Sequence, residues 1–198
     1  MSNRGFEFAT KNKDGEWIQA YPDAQLPEYQ TRHSAGADFF CAQEVQITSI
    51  WRPVFGVIAD WIARGLKGNL STDEDCFGNE YRKDTLRRCF APTLVHTGIK
   101  AFMKDDEVLE LYNRSSNPLK RGLILANSVG VVDADYYNNP DNDGEIMFSF
   151  YNFLPWTVTI EIGERIGQGV FKTFLRPDVG LRIKDDERNS GLGSTGNK

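Results

Sequence analysis

Residues 156–167 read WTVTIEIGERIG, and this stretch sets the expectation for the whole fold. Val158, Ile160 and Ile162 alternate here with polar residues. Because successive side chains of a strand point to opposite faces, this spacing predicts a strand with one buried face. Similar strands are predicted at residues 93–103, 107–112, 122–132 and 145–153. Turn residues separate these stretches and no crossover helix stands between them, so we predict a mainly antiparallel β-sandwich or barrel.

The composition of the 198-residue chain indicates one domain, or a compact core with one sizeable insertion. A net charge of -5 argues against nonspecific binding to nucleic acid, which needs clustered Lys and Arg. The apolar stretches are too short to cross a membrane and the first residues lack an export signal, so we expect a cytoplasmic protein. With two histidines and no C-x-x-C pair, a metal here would be a hard cation held by oxygen ligands.

Residues 50–90 have the pattern of a helical insertion. Val54, Ile58, Trp61 and Ile62 recur at spacings of three and four, which is typical of an amphipathic helix. Two roles stay open for this insert. It is either a hairpin packed on the side of the barrel or a surface that binds a partner protein.

The C-terminal residues 185–198, DDERNSGLGSTGNK, contain almost no apolar side chain. Such a composition is typical of a disordered arm. Gly-rich segments also wrap phosphates, because glycines let successive N–H groups point into one anion-binding concavity. Composition does not choose between these two interpretations.

Two polar clusters at the ends of predicted strands are candidates for binding an anion. In SAGADFF a turn of small residues delivers Asp38 to the start of a strand. In YNRSSNP a strand ends in Arg114, Ser115 and Ser116, whose guanidinium and hydroxyl groups can bind phosphate. Each cluster is equally compatible with an ordinary polar turn.

The stretch ANSVGVVDADYYNNPDNDGEI, residues 126–146, is the most informative. A hydrophobic strand runs into Asp133 and Asp135, so carboxylates stand at a strand end beside the ring of Tyr136. Such a carboxylate can accept a proton from attacking water, and a ring can lie against a sugar. A turn rich in Asn and Asp explains the same residues. Further along, Gln168 lies between two glycines in a strand, where a backbone or a ligand has room to approach closely.

Five segments, taken in chain order, resemble the five ordered motifs of the trimeric dUTP pyrophosphatase (dUTPase) family. They are AGADFF, NRSSNP, NSVGVVDADY, GERIGQGVF and RNSGLGSTG. The resemblance implies a mainly β fold, a jelly-roll or distorted β-barrel forming one domain over residues 1–198. The helical insertion at about 50–90 would interrupt it, and residues 185–198 would be a flexible Gly-rich arm that closes the active site.

The resemblance also implies the activity and the assembly. A Gram-positive bacterial or phage-like member of the family would hydrolyse dUTP to dUMP and pyrophosphate, with Mg²⁺ as cofactor. It would be a homotrimer whose active sites draw motifs from all three subunits.

Residue roles follow from the same resemblance. Asp133 would be the general base that activates water, and Asp38 would contact Mg²⁺ through water. Tyr136 would pack under the deoxyribose and Asn127 would read the uracil edge. The other substrate-binding positions that the family implies are Arg114, Ser115, Ser116, Val132, Gln168, Arg188, Leu192, Gly193, Ser194 and Thr195.

Two departures from the family pattern stand out. The last motif usually carries a Phe between glycines, whereas Leu192 occupies that region here, which predicts weaker binding of substrate. The turn YYNNPDNDGE is also longer than the family's usual Tyr-Arg-Gly-Glu, although it begins and ends on matching residues.

Two alternative functions are compatible with this barrel. A dCTP deaminase shares the Arg-Ser-Ser motif, but Ser149 stands where that enzyme needs a glutamate. A regulatory protein would use the barrel as a platform and the insert as its partner surface.

Overall fold

The computed structural model describes residues 3–52, 62 and 90–179. Within these residues the chain forms thirteen strands and two short helical turns. The strands are β1 (Gly5–Phe8), β2 (Thr10–Lys13), β3 (Glu16–Gln19), β4 (Ala37–Phe40), β5 (Val45–Ile47), β6 (Thr93–His96), β7 (Ile99–Phe102), β8 (Glu107–Asn113), β9 (Leu123–Leu125), β10 (Gly130–Asp133), β11 (Met147–Asn152), β12 (Val158–Ile160) and β13 (Arg165–Thr173). A π-helical turn spans Asn117–Arg121, and a 3₁₀ turn spans Ala134–Tyr136.

All pairings between these strands are antiparallel, which confirms the predicted mainly β fold. The largest sheet has the order β10-β8-β13-β4. A three-stranded sheet, β6-β11-β9, faces the same core, and the pairs β1-β7, β12-β5 and β2-β3 complete the fold. The four-stranded sheet carries the candidate site residues Asp38, Asp133 and Gln168.

Aromatic side chains fill the centre of the core. Phe39, Phe148 and Phe150 are fully buried, and the rings of Phe39 and Phe148 lie 5.5 Å apart between centroids. The N-terminal strand joins this core, because the ring of Phe6 packs edge-on against Phe39 at 5.3 Å. Burying one such side chain contributes about 1.5–3 kcal/mol. Residues near the N-terminus therefore belong to the same folded unit as the candidate site.

Three of the predicted strands are interrupted in the structure, so their predicted extents are wrong. Residues 93–103 break at Thr97 and Gly98, and residues 122–132 break at the turn 126–129. Residues 156–167 also break, because a turn closed by Glu164 N donating to Glu161 O separates β12 from β13. Ile162 lies in that turn and is 47% exposed, so it does not share the buried face of Ile160.

The predicted helical insertion at about 50–90 lies almost entirely outside the described residues, as does the arm at 185–198. In the part of the chain that the structure describes, no helix is long and apolar enough to span a membrane.

Candidate active site

Asp38 is held at the centre of a hydrogen-bonded cluster on β4. Its side chain is buried, and its Oδ1 accepts a hydrogen bond from Gln168 Nε2 at 3.0 Å. Its Oδ2 accepts one from Arg165 Nη1 at 3.2 Å. The pairing of β4 with β13 sets this contact, because Gln168 stands directly opposite Asp38. Two residues predicted from sequence therefore meet, and Arg165 is a member that the sequence reasoning missed.

Arg114 lies beside this cluster, just after the end of β8. Its Nη1 donates to the backbone carbonyl of Arg165 at 2.9 Å. Burial lowers the pKa of Arg114 below its usual value, and the neighbouring cation of Arg165 lowers it further. An arginine that is partly desolvated and faces another cation is stabilised by a bound anion.

A cavity of about 490 Å³ opens in front of Arg114. Four cationic side chains line it: Arg114, Lys120, Arg121 and Arg165. They face a single acidic residue, Glu164, which accepts a hydrogen bond from Arg121 at 2.7 Å. The cavity thus carries an excess of positive charge, as a polyphosphate site requires. Lys120 and Arg121 were also missed, although the run LKRG directly after NRSSNP was a visible signal.

One of the two serines of the NRSSNP segment lines this cavity. Ser116 lines it and is partly exposed, and Ser115 is exposed. Asn117 has a different role, because its buried Nδ2 donates to Asn113 Oδ1 and to Ile166 O, both at 2.8 Å. These bonds fasten the π-helical turn to the end of β8 and to β13, so the serines that precede Asn117 have a fixed support.

The glycines on either side of Gln168 make room for core rings. A Cβ added at Gly167 would lie 2.0 Å from Cε1 of Phe148, and one at Gly169 would lie 2.6 Å from Cε2 of Phe39. The close approach expected from sequence is therefore made by the aromatic core. Gln168 projects to the other face of the strand, where it bonds to Asp38.

Asp133 ends β10 and is exposed. A second cavity of about 300 Å³ adjoins it, lined by further acidic residues, Asp105, Glu107 and Asp135, and by Arg176. The Glu107 carboxylate is buried and accepts a hydrogen bond from Arg4 Nε at 3.0 Å. This region presents carboxylates, in contrast to the cationic cavity beside Arg114.

Tyr136 and Val132 contribute side chains to the hydrophobic core, and each is 9% exposed. The Tyr136 hydroxyl donates to Glu145 O at 3.1 Å and accepts from Asn142 Nδ2 at 2.8 Å. Any contact of Val132 with a ligand would therefore come from its backbone. Asn127 is exposed in the turn between β9 and β10, and its Nδ2 lies over Gly130.

Asp133 and Asp38 stand far apart on the four-stranded sheet. Asp133 lies opposite Val108 of β8, whereas Asp38 lies opposite Gln168, which faces Tyr112 of β8. The offset is four residues along β8, or about 13 Å, and three strands across the sheet, or about 14 Å. One chain therefore does not bring the general-base candidate to the cationic cavity.

The remaining sequence-predicted site residues, Arg188, Leu192, Gly193, Ser194 and Thr195, lie outside the described residues. Within the described ranges, no group of three or more His, Cys, Asp or Glu side chains could hold a metal ion. A magnesium ion is commonly held by substrate phosphates, waters and only one or two carboxylates. The buried carboxylate of Asp38, held by Arg165 and Gln168 beside a cationic cavity, fits that kind of site.

Known proteins resemble this chain, one of them over nearly its whole length. The family model for dUTPase matches residues 81–196. The deoxyuridine 5'-triphosphate nucleotidohydrolase of Lactococcus lactis subsp. lactis is 38% identical over 199 residues, covering 99% of each chain. The corresponding protein of Hahella chejuensis is 38% identical over 112 residues, covering 54% of this chain and 68% of its own.

Solved structures give the same result. The dUTPase from Streptococcus mutans superposes with a TM-score of 0.60 at 36% identity, covering 88% of this chain and 98% of its own. The dUTPase of Staphylococcus bacteriophage 80alpha superposes with a TM-score of 0.55 at 15% identity, covering 93% of this chain and 97% of its own. The second similarity shows the fold alone.

Proposed function

This chain belongs to the dUTPase family, and from that premise we propose that it hydrolyses dUTP to dUMP and pyrophosphate through attack of water on the α-phosphorus. The observation that carries the proposal is the cationic cavity of Arg114, Lys120, Arg121 and Arg165 beside the buried Asp38. Phosphoryl transfer needs positioning and charge neutralisation more than covalent chemistry, and this cavity offers both.

Arg114, Ser115, Ser116 and Gln168 bind the triphosphate in this proposal. Arg114 is already fixed by its bond to the Arg165 carbonyl, so little conformational freedom is lost when it meets a phosphate. The family generally uses Mg²⁺, which when bound neutralises phosphate charge. Asp38, held in place by Arg165 and Gln168, would contact that ion through water.

Asp133 orients the attacking water and accepts its proton. Its position at the exposed end of β10 leaves the carboxylate accessible. Tyr136 packs under the deoxyribose, and Asn127 with the backbone at Val132 reads the uracil edge. The core contacts of Tyr136 and Val132 keep both positions rigid, which favours selective binding.

Two or more copies of the chain complete each active site in this proposal. Asp133 is separated from Asp38 by about 13 Å along the sheet and about 14 Å across it, which supports a site shared between subunits. A homotrimer, typical of the family, would bring the Asp133 of one subunit to the cationic cavity of another. The chain itself is one domain with an insertion at about 50–90. Its arm at 185–198 would close over the nucleotide with Arg188, Leu192, Gly193, Ser194 and Thr195.

A second candidate function is regulation of a partner protein through the insert. Trp51, Phe153 and Trp156 lie near its first residues and are 43%, 47% and 61% exposed. Trp51 Nε1 donates to Phe153 O at 3.0 Å, which holds two of these residues together. Exposed aromatic clusters often mark interaction sites. Deleting residues 53–89 would separate the two functions, because loss of a captured partner with hydrolysis intact would support regulation.

The proposed hydrolysis is tested by pyrophosphate release from dUTP, dCTP, dTTP and UTP in the presence of Mg²⁺. We expect turnover of dUTP alone. For Asp133→Asn we expect kcat to fall by about 10² to 10⁴, the usual contribution of a general base.

The matched control is Asp14→Asn, because Asp14 is exposed in the turn between β2 and β3. It should keep the wild-type rate. Equal turnover of dCTP, or an unimpaired Asp133→Asn variant, would refute the proposal.

A further inference from the structure

The loop that follows Tyr136, residues 137–145, is closed on itself. Asn139 N donates to Tyr136 O at 3.2 Å, and Asp143 N donates to Asn139 O at 2.7 Å. Gly144 has a φ of 78°, and a Cβ there would lie 2.5 Å from Tyr136 O. The end of the loop therefore packs directly on the backbone of Tyr136.

Asp143 fastens this loop to the barrel. Its Oδ2 accepts hydrogen bonds from Thr10 N at 2.7 Å, Thr10 Oγ1 at 2.7 Å and Lys100 Nζ at 2.8 Å. Lys100 Nζ also donates to Asn138 Oδ1 at 2.7 Å, so it contacts the loop twice. Three donors from β2 and β7 thus converge on one side of the loop.

The Asp143–Lys100 pair is nearly buried, with side-chain exposures of 13% and 9%. Burial alone would raise the pKa of Asp143, but the hydrogen bonds from Lys100 and Thr10 outweigh it and lower that pKa below its usual value. Removing one member of a buried pair leaves the other charge uncompensated. The pair therefore acts as a unit.

The same loop also controls the Tyr136 hydroxyl. Asn142 Nδ2 donates to that hydroxyl, which itself donates to Glu145 O. Both the backbone and the phenol of Tyr136 are thus fixed by residues whose position depends on the attachment at Asp143.

We propose that Asp143 is a positioning residue: held by Thr10 and Lys100, it fixes the Tyr136 ring and so sets the preference for deoxyribose over ribose. The inference rests on the proposed function, in which Tyr136 packs under the sugar. A ring that shifts leaves room for a 2′-hydroxyl. Loosening the loop should therefore raise kcat/KM for UTP relative to kcat/KM for dUTP.

The test compares kcat and KM for dUTP and UTP between wild type, Asp143→Asn and Asp14→Asn. The two aspartates are a matched pair, because both have positive φ, 58° and 55°, yet Asp14 is exposed. We expect the dUTP/UTP ratio of kcat/KM to fall about tenfold for Asp143→Asn, the effect of weakening one charged hydrogen bond. The control should keep the wild-type ratio. If Asp143 had a merely structural role, the substitution would lower kcat/KM equally for both substrates and leave their ratio unchanged.

A second pair keeps the test decisive if Asp143→Asn does not fold. Thr10→Val removes one hydroxyl bond to Asp143, whereas Thr10→Ser retains it. We expect the ratio to fall about threefold for the valine variant, because Asp143 keeps its bonds from Thr10 N and Lys100 Nζ, and not to fall for the serine variant. An unchanged ratio in every folded variant among Asp143→Asn and Thr10→Val, with the wild type active and selective, would overturn the inference. A wild type that does not turn over dUTP would instead overturn the proposed function.

Discussion

The cationic half and the carboxylate half of the candidate site are built in different ways. In the cationic half, Asp38 is buried and bound on both oxygens by side chains of β13, and Arg114 bonds to the backbone of the same strand. In the carboxylate half, Asp133 stands exposed at the end of a strand.

The geometry of each half is therefore fixed by a different part of the structure. In the cationic half, Asp38 is buried in the sheet and Arg114 is bonded to β13, so this part of the geometry is fixed when the chain folds. The carboxylate half lies at the end of β10 and, in our proposal, is completed by the cationic half of a neighbouring subunit. Changes in the first half should therefore affect folding and substrate binding together, whereas changes around the second should act more locally.

The largest expected effect concerns the support of the cationic half. Gly167→Ala would place a methyl group against the ring of Phe148. Overpacking of a core typically costs about 1–3 kcal/mol, and the 2.0 Å approach indicates the upper end of that range. Chemical denaturation should show the loss of unfolding free energy. In the double variant Gly167→Ala/Phe148→Leu a smaller side chain replaces the ring, so part of the lost unfolding free energy should be recovered. If the losses of the two single variants simply add, the packing explanation is contradicted.

The next effect concerns Arg165 and substrate binding. Arg165→Met removes the charged hydrogen bond to Asp38, so we expect kcat/KM for dUTP to fall about 30-fold. The control is Lys172→Met on the same strand, where the lysine pairs with Glu110 at the surface. That variant should change kcat/KM by about twofold or less, as surface ion pairs contribute little. Similar losses in both variants would show that Arg165 acts only as surface charge.

The smallest effect is a pH dependence of stability at Glu145, the last residue of the loop after Tyr136. His96 Nδ1 lies 3.1 Å from Glu145 Oε2, and this hydrogen bond raises the pKa of His96 while burial opposes the rise. A raised pKa means that the stabilisation is fully present below the unfolded pKa, about 6.5, and is lost as the pH rises through the folded value. Thermal melts should show a midpoint lower by about 1–3 °C at pH 8.5 than at pH 6.

His96→Gln should abolish this difference. The exposed His33 supplies the control, and His33→Gln should leave the pH dependence intact. A wild-type midpoint that does not change across this range would disprove the role of the His96–Glu145 pair.

The sequence predicted the strands better than their ends. The pattern of apolar and polar residues in 107–112 and 145–153 was sufficient to predict a strand in each stretch, because one face of each strand meets the core. The break at residues 126–129 is a local turn in which Ser128 N donates to Leu125 O, whereas the breaks at 97–98 and 161–164 also involve backbone hydrogen bonds to distant residues. Gly163 N, for example, donates to Cys41 O, and that partner has no local signal.

The same limit applies to the site. Asp38, Arg114 and Gln168 were predicted from motifs, and the structure brings them together. Arg165 was missed because its partner Asp38 lies 127 residues earlier in the chain, so only the pairing of β4 with β13 reveals the contact. The glycines beside Gln168 were noticed, but local sequence gave no indication that core rings occupy the space.

The distance between Asp133 and Asp38 also has a consequence for inheritance. A chain with a damaged cationic half still carries an intact Asp133, and a chain with a damaged Asp133 still carries an intact cationic half. If sites form between subunits, two defective alleles expressed in one cell would produce mixed assemblies in which some sites are whole. Selection would then act on combinations of gene copies as well as on each copy alone.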